Sequence, residues 1–189
     1  SASIGENNAL GGSLTAVRAS DGSQLTDVQL GGAMLTGQLS NSAALALRID
    51  SVTWSDADHV YLYNVSMRGD SGWAPLCGKA NGVVVPAIPT PGQWNAATGT
   101  HIDDPNLFTF ACVNAAVGKC ILWGYQPWST KNECKGNKCR TQALDPWLQA
   151  CTRMVRADYC GDGSTHTRNG TLIDVWDSLG IQNRVRSSL

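Results

Sequence analysis

The 189-residue chain has no stretch apolar enough to cross a bilayer as a helix. Its charges are sparse and balanced, 14 basic against 15 acidic side chains, for a formal net charge of −1. No lysine or arginine run supplies the basic stripe that a nucleic acid or an anionic membrane surface would require, so neither partner is expected. No Cys-x-x-Cys pair occurs and only three histidines are present, which excludes zinc-finger spacing. A Gly-rich phosphate loop, a serine nucleophile elbow and a His-Glu-x-x-His helix are missing too. What remains is a thin charge coat, 15% of residues, over a chain rich in small polar side chains, a composition common among exported proteins. A start at Ser1 rather than Met is compatible with earlier removal of a signal segment.

Seven cysteines are present: Cys77, Cys112, Cys120, Cys134, Cys139, Cys151 and Cys160. Without metal-ligand spacing, that number points to disulfides and an oxidising compartment. Because seven is odd, at least one thiol is free or bonded to another chain.

Alternation of apolar residues predicts short strands over most of the first hundred residues. After a frayed segment 1–12, strands are expected at Ser13–Ala19, Leu25–Leu30, Ala33–Leu39, Ala43–Trp54 and His59–Arg68, with Asp21-Gly22 and Gly31-Gly32 as turns. Trp73–Cys77 and Val83–Ile88 follow, the prolines at 86, 89 and 91 placing the latter at a sheet edge. Beyond Phe108–Cys112 the period changes. Asn114 is read as the cap of a helix over Ala115–Trp123, and residues 126–143 as a polar loop. Asp145 is read as the cap of a second helix with Pro146 in its first turn, ending near Asp158. Trp147, Leu148, Cys151, Met154 and Val155 share its apolar face, and Gln149, Thr152, Arg153 and Arg156 its polar one. Thr165–Arg168 and Thr171–Trp176 flank Asn169-Gly170 as a hairpin. The expected fold is therefore α+β: an N-terminal antiparallel sheet or sandwich, two short helices and a C-terminal hairpin, braced by disulfides. Residues 13–189 form one domain, with a β-rich part over 13–100 and a helix-bearing part over 101–189.

Helical rise places Cys151 and Cys160 roughly 10–13 Å apart, too far for a bond. Cys134 and Cys139 flank a short Lys-Gly-Asn-Lys stretch and can close a local loop. Cys120 and Cys151 lie on the apolar faces of the two helices and can join them. Of Cys77, Cys112 and Cys160, two are left to pair.

The run Arg156-Ala157-Asp158-Tyr159-Cys160-Gly161-Asp162-Gly163, with His166-Thr167-Arg168 and Gly170-Thr171, resembles the signature of the bacterial ADYC domain family. Phe108-Thr109-Phe110-Ala111-Cys112, Gly118-Lys119-Cys120, Trp123-Gly124-Tyr125 and Pro127-Trp128 are similar to that family's other segment. The likeness covers roughly residues 73–181, and the Cys134–Cys139 loop stands outside it as an embellishment. It implies a secreted or cell-envelope bacterial protein. It implies no activity, and no catalytic residue is carried over.

Three candidate chemistries follow from the residues. A cysteine nucleophile would be Cys112, which precedes a helix start where a thiolate is favoured, with His166 as base and Asp158, Asp162 or Asp103 orienting it. A small cysteine-dependent hydrolase or acyl transferase is the function that set would serve. Across the expected hairpin His166 faces Ile173, so Asp174 points away from it. A calcium site would use Asp158 and Asp162, which with Gly163 match three positions of an EF-hand loop; Cys160 and Asn169 occupy two others wrongly. No cofactor is otherwise expected. A binding surface would use tryptophan: of the seven, Trp94 and Trp128 lie in Pro/Gly/Ser-rich loops that favour presentation over burial. The bland alternatives are disulfides, a helix stop and core packing. The favoured function is an extracellular module that binds a polymer, a surface or copies of itself.

Overall fold

In the computed structural model, which describes residues 2–3, 12–38, 43–183 and 185–188, short antiparallel strands build the first half. β1 (Ala2–Ser3), β2 (Thr15–Arg18) and β3 (Gln24–Thr26) form a small sheet in that order. Of the segment 1–12 expected to fray, residues 1 and 4–11 lie outside the described residues, while Ala2 and Ser3 pair with Arg18 and Val17. A 3-10 turn over Asp27–Leu30 leads into a meander of β4 (Met34–Gln38), β5 (Ala44–Ser55), β6 (Val60–Gly69) and β7 (Gly72–Pro75). A two-residue ribbon, β8 (Lys79–Ala80) and β9 (Val83–Val84), precedes β10 (Ala87–Pro91). After a second small pair, β11 (Gln93–Trp94) and β12 (His101–Ile102), β13 (Phe108–Cys112) runs back along β10. The central sheet therefore reads β13-β10-β6-β5-β4, with β7 also on β6.

The side-chain pattern explains why this sheet is covered on both faces. Along β5, Leu47 and Ile49 enter one core, and the register then slips between Ile49 and Ser51, so Val52 enters the same core despite the change of parity. Along β6 no such slip occurs. Tyr63 and Val65 face that first core, against Leu14, Ala16 and Leu30, while Val60 and Leu62 face the opposite way. Val60, Ile88 and Ala111 meet Cys120 and Ile121 of α1 (Ala116–Leu122) and Leu148 and Cys151 of α2 (Asp145–Val155). The result is three layers: a small sheet, a central sheet, and a helix pair.

Several local expectations are corrected. β10 carries Pro89 and Pro91 yet lies inside the sheet, between β13 and β6; it tolerates them because its pairing with β6 is a single residue pair, Ala87 with Tyr63. The α1 cap position is Ala115, not Asn114, and no side-chain cap is made. A Cβ on Gly118 would stand 2.2 Å from the Cys112 carbonyl oxygen, so glycine lets α1 sit directly on the end of β13. α2 starts one residue early, with Leu144 at the cap, and stops at Val155. The loop expected over 126–143 contains a hairpin, β14 (Thr130–Lys135) and β15 (Lys138–Ala143), turning at Gly136 with φ +60°. Its residues are mostly exposed, so no apolar alternation announced it. At the C-terminus β16 (Leu172–Val175) pairs with β17 (Val185–Ser188) and not with residues 165–168. The intervening turn is held by Asp177, whose carboxylate accepts the N–H groups of Leu179, Ile181 and Gln182 and the Tyr125 hydroxyl. Burial pushes that carboxyl up, but these bonds outweigh it and hold the group below the usual carboxylate range.

Tyr63 links the two sheets. It is fully buried, accepts the Leu14 N–H at 3.0 Å and donates to Asp27 at 3.2 Å; burial first, then the Asp27 charge, pushes its phenol well above the ordinary range. Tyr63→Phe would leave the Leu14 N–H buried and unpaired. Urea denaturation is expected to show a loss of about 1–3 kcal/mol, with the ring packing unchanged.

Candidate functional site

Six of the seven cysteines form disulfides: Cys77–Cys112, Cys120–Cys151 and Cys134–Cys139. The first ties the segment after β7 to the end of β13, the second joins the two helices, and the third crosses directly opposed positions of the β14–β15 hairpin. This corrects the nucleophile assignment. Cys112 shares its sulfur with Cys77, so it offers no thiolate to a substrate. The free cysteine is Cys160, on an exposed turn beyond α2.

The polar face of α2 is not a solvated face. Gln149, Arg153 and Arg156 lie at helical spacing and hold residues 96–101. Gln149 accepts the His101 N–H at 2.6 Å and donates to the Gly99 carbonyl at 2.7 Å. Arg156 donates to the carbonyls of Ala96 and Ala97 at 3.1 and 2.6 Å, and Arg153 approaches the Thr100 hydroxyl at 3.4 Å. Trp94 and Trp128, expected to be presented on loops, are half-buried against the helix-side core. Trp94 stacks obliquely on His101 at 4.9 Å, and the Trp128 indole N–H points to Gln126 at 3.3 Å. The strap that α2 pulls down carries the first ring with it. The most exposed tryptophans are instead Trp54, Trp123 and Trp176.

The segment resembling the family signature closes the end of α2. Ala157 adopts φ +56°, and the N–H groups of Ala157 and Asp158 bond the carbonyls of Met154 and Arg153, so the chain turns back over the helix end. Asp158 is thereby buried at 1% exposure. The N–H of His166 donates to the Ala157 carbonyl at 2.9 Å, which draws residues 162–166 over the same end. Gly161, with φ +73°, leaves space that Arg153 fills: a Cβ there would stand 1.9 Å from Nη1. Asp158, Asp162 and His166 have ligand-capable atoms all within 4.8 Å of one another. Asp162 also accepts the Ser164 N–H, the leading cause that holds its carboxyl below the usual range. Asp158 follows the end of α2, as expected, and the described residues after it are extended and turn-like and form no second helix of the kind that completes an EF-hand.

A second arrangement lies along β5, β6 and β7, on the side of β6 that carries Val60 and Leu62. Asn64 and Ser66 interrupt the apolar series of β6 there. The Asn64 amide donates to Ser51 at 3.0 Å, Ser66 donates to Asp50, and Arg48 pairs with Asp50 at 2.6 Å. The Trp73 ring receives two guanidinium groups, from Arg48 at 4.8 Å and Arg68 at 5.6 Å. No pattern along a single strand marks this group, because its members come from β5, β6 and β7. The one available signal was a polar pair, Asn64 and Ser66, in an otherwise apolar strand.

Comparison with known families gives one match: the family model of the ADYC domain covers residues 27–188. The match begins well before residue 73, so the sheet from β4 onward belongs to the matched region together with the helices. No curated protein and no solved structure matches the chain.

Proposed function

The chain belongs to the ADYC domain family, and from that premise we propose that it is a secreted or envelope-associated bacterial module that binds a partner, with Cys112 serving as a brace and not as a nucleophile. The observation that carries this reading is the use of the cysteines: six are joined in disulfides, Cys112 among them. Such bracing suits an oxidising compartment, where thiols are not kept reduced. With the central sheet, the helix pair and the β14–β15 hairpin each stapled internally in this way, the body presents fixed surfaces at little entropic cost.

An extracellular polymer built of sugars is the partner whose chemistry fits the Trp73 group. The half-buried Trp73 ring is flanked by the guanidinium groups of Arg48 and Arg68, and a planar ring with fixed donors beside it suits a sugar, whose apolar face stacks and whose hydroxyls accept hydrogen bonds. In a pull-down on insoluble polysaccharide, Trp73→Ala is expected to reduce retention by roughly thirtyfold, the scale of a binding hot spot. Retention unchanged in Trp73→Ala, with folding confirmed by circular dichroism, would remove the surface from the proposal.

A further inference from the structure

We propose that Asp158, Asp162 and His166 form a binding site for one divalent ion of the zinc class. The three side chains come from the end of α2 and the turn laid across it, and their ligand-capable atoms lie within 4.8 Å of one another. A cluster of this kind on a surface is by itself ordinary. The second observation is the state of Asp158. It is 1% exposed, and neither carboxylate oxygen has a hydrogen-bond partner. Its charged neighbour, Arg153 Nη1, stands 3.7 Å away, beyond hydrogen-bond reach, and is itself buried without a hydrogen bond. Arg153 thus balances charge but leaves the oxygen lone pairs unsatisfied. A buried carboxylate in that condition is strongly disfavoured unless something coordinates it. The two groups that share its space are another carboxylate and an imidazole.

The donor set selects the ion. Calcium takes six or more oxygen ligands, and this set offers two carboxylates and one nitrogen. Zinc accepts that mixture, with three protein ligands and water completing a tetrahedron. His166 Nε2 and Asp162 Oδ1 are 3.4 Å apart. Two ligands at about 2.0–2.1 Å from a tetrahedral zinc ion stand roughly 3.3–3.4 Å from each other. Asp162 and His166 are 53% and 38% exposed, so they can rotate the remaining distance toward Asp158 without disturbing the core. Arg153 then acts on the ligand Asp158 from outside, as orienting partners of metal ligands do. The ion would pin residues 162–166 to the end of α2, adding a fourth cross-tie to the three disulfides.

The test uses the full chain carrying Cys160→Ser, so that the free thiol cannot bind metal itself, stripped with chelator and titrated with zinc chloride by calorimetry. One ion per chain and a higher melting temperature in zinc are expected. Asp162→Asn, which retains the bond to Ser164, and His166→Ala should each weaken zinc binding at least about tenfold, with metal-free melting temperatures near that of the parent. If His166→Ala fails to fold, His166→Gln takes its place. Absence of saturable zinc binding would overturn the proposal. Binding that is undiminished in both variants would overturn it equally, and tighter binding of calcium than of zinc would overturn the choice of ion.

Discussion

Arg153→Ala is expected to lower the unfolding free energy by about 3–5 kcal/mol, because it leaves a buried carboxylate with no opposing charge. Asp158 is 1% exposed, and its nearest cation is Arg153 at 3.7 Å, with the Arg153 side chain 24% exposed. The guanidinium also fills the space over Gly161 and reaches Thr100, so the variant loses packing as well as charge. The helical pattern alone predicts the reverse order: Met154 on the apolar face as the sensitive position, and Arg153 as nearly neutral. The two substitutions, compared by urea denaturation in chelator, separate the readings. A loss below about 0.5 kcal/mol for Arg153→Ala would mean that the side chain is solvated, as surface substitutions usually are.

The second large effect concerns the bond between the helices. Cys120 and Cys151 are 31 residues apart in sequence, and each is buried in the helix-side core. Chain-entropy arguments assign a loop of that length about 3–4 kcal/mol. Replacing both by alanine is expected to lose about that much, with the three layers retained in circular dichroism. Opening Cys134–Cys139, which spans 5 residues in an exposed hairpin, should do less, because it constrains little of the unfolded chain. Equal losses from the two would mean that the stabilisation arises from native contacts and not from loop closure.

Much of the fold was legible, and the failures have physical reasons. The longer strands of the central sheet, β5 and β6 above all, announce themselves by alternation, and the shift of parity between Ile49 and Val52 is a trace of the bulge, whereas the strand expected over Leu25–Leu30 is mostly a 3-10 turn. In β6, the same kind of shift between Leu62 and Val65 had a different meaning: the strand exchanges one core for another without a bulge. A one-dimensional pattern does not distinguish these, since both move apolar residues by one position. The β14–β15 hairpin was missed because it buries little, and alternation is a signal of burial. The pairings of Cys120 with Cys151 and Cys134 with Cys139 could be reasoned from helix faces and short spacing, whereas Cys77–Cys112 depends on long-range packing.

The sites were less accessible for a similar reason. Gln149, Arg153 and Arg156 look like a solvated helix face, and only the tertiary path of residues 96–101 turns them into a clamp. That same strap carries Trp94 inward, against the expectation that a Pro- and Gly-rich loop presents its aromatic. His166 was placed in a strand opposite Ile173, but its N–H bonds to the Ala157 carbonyl, which brings the ring beside Asp162. The first two errors share a cause, a tertiary contact between α2 and residues 94–101 that no local pattern reports, whereas the third is a turn across a helix end read as a strand.

The most direct test of the account is a thiol count on the native protein. Alkylation in denaturant without reductant, followed by intact mass and peptide mapping, is expected to place one label per chain on Cys160, or none if Cys160 joins two chains. After reduction all seven cysteines should label. Labels on Cys77 and Cys112 before reduction would contradict the disulfide framework, release the thiol at Cys112 and return the cysteine-dependent enzyme to consideration.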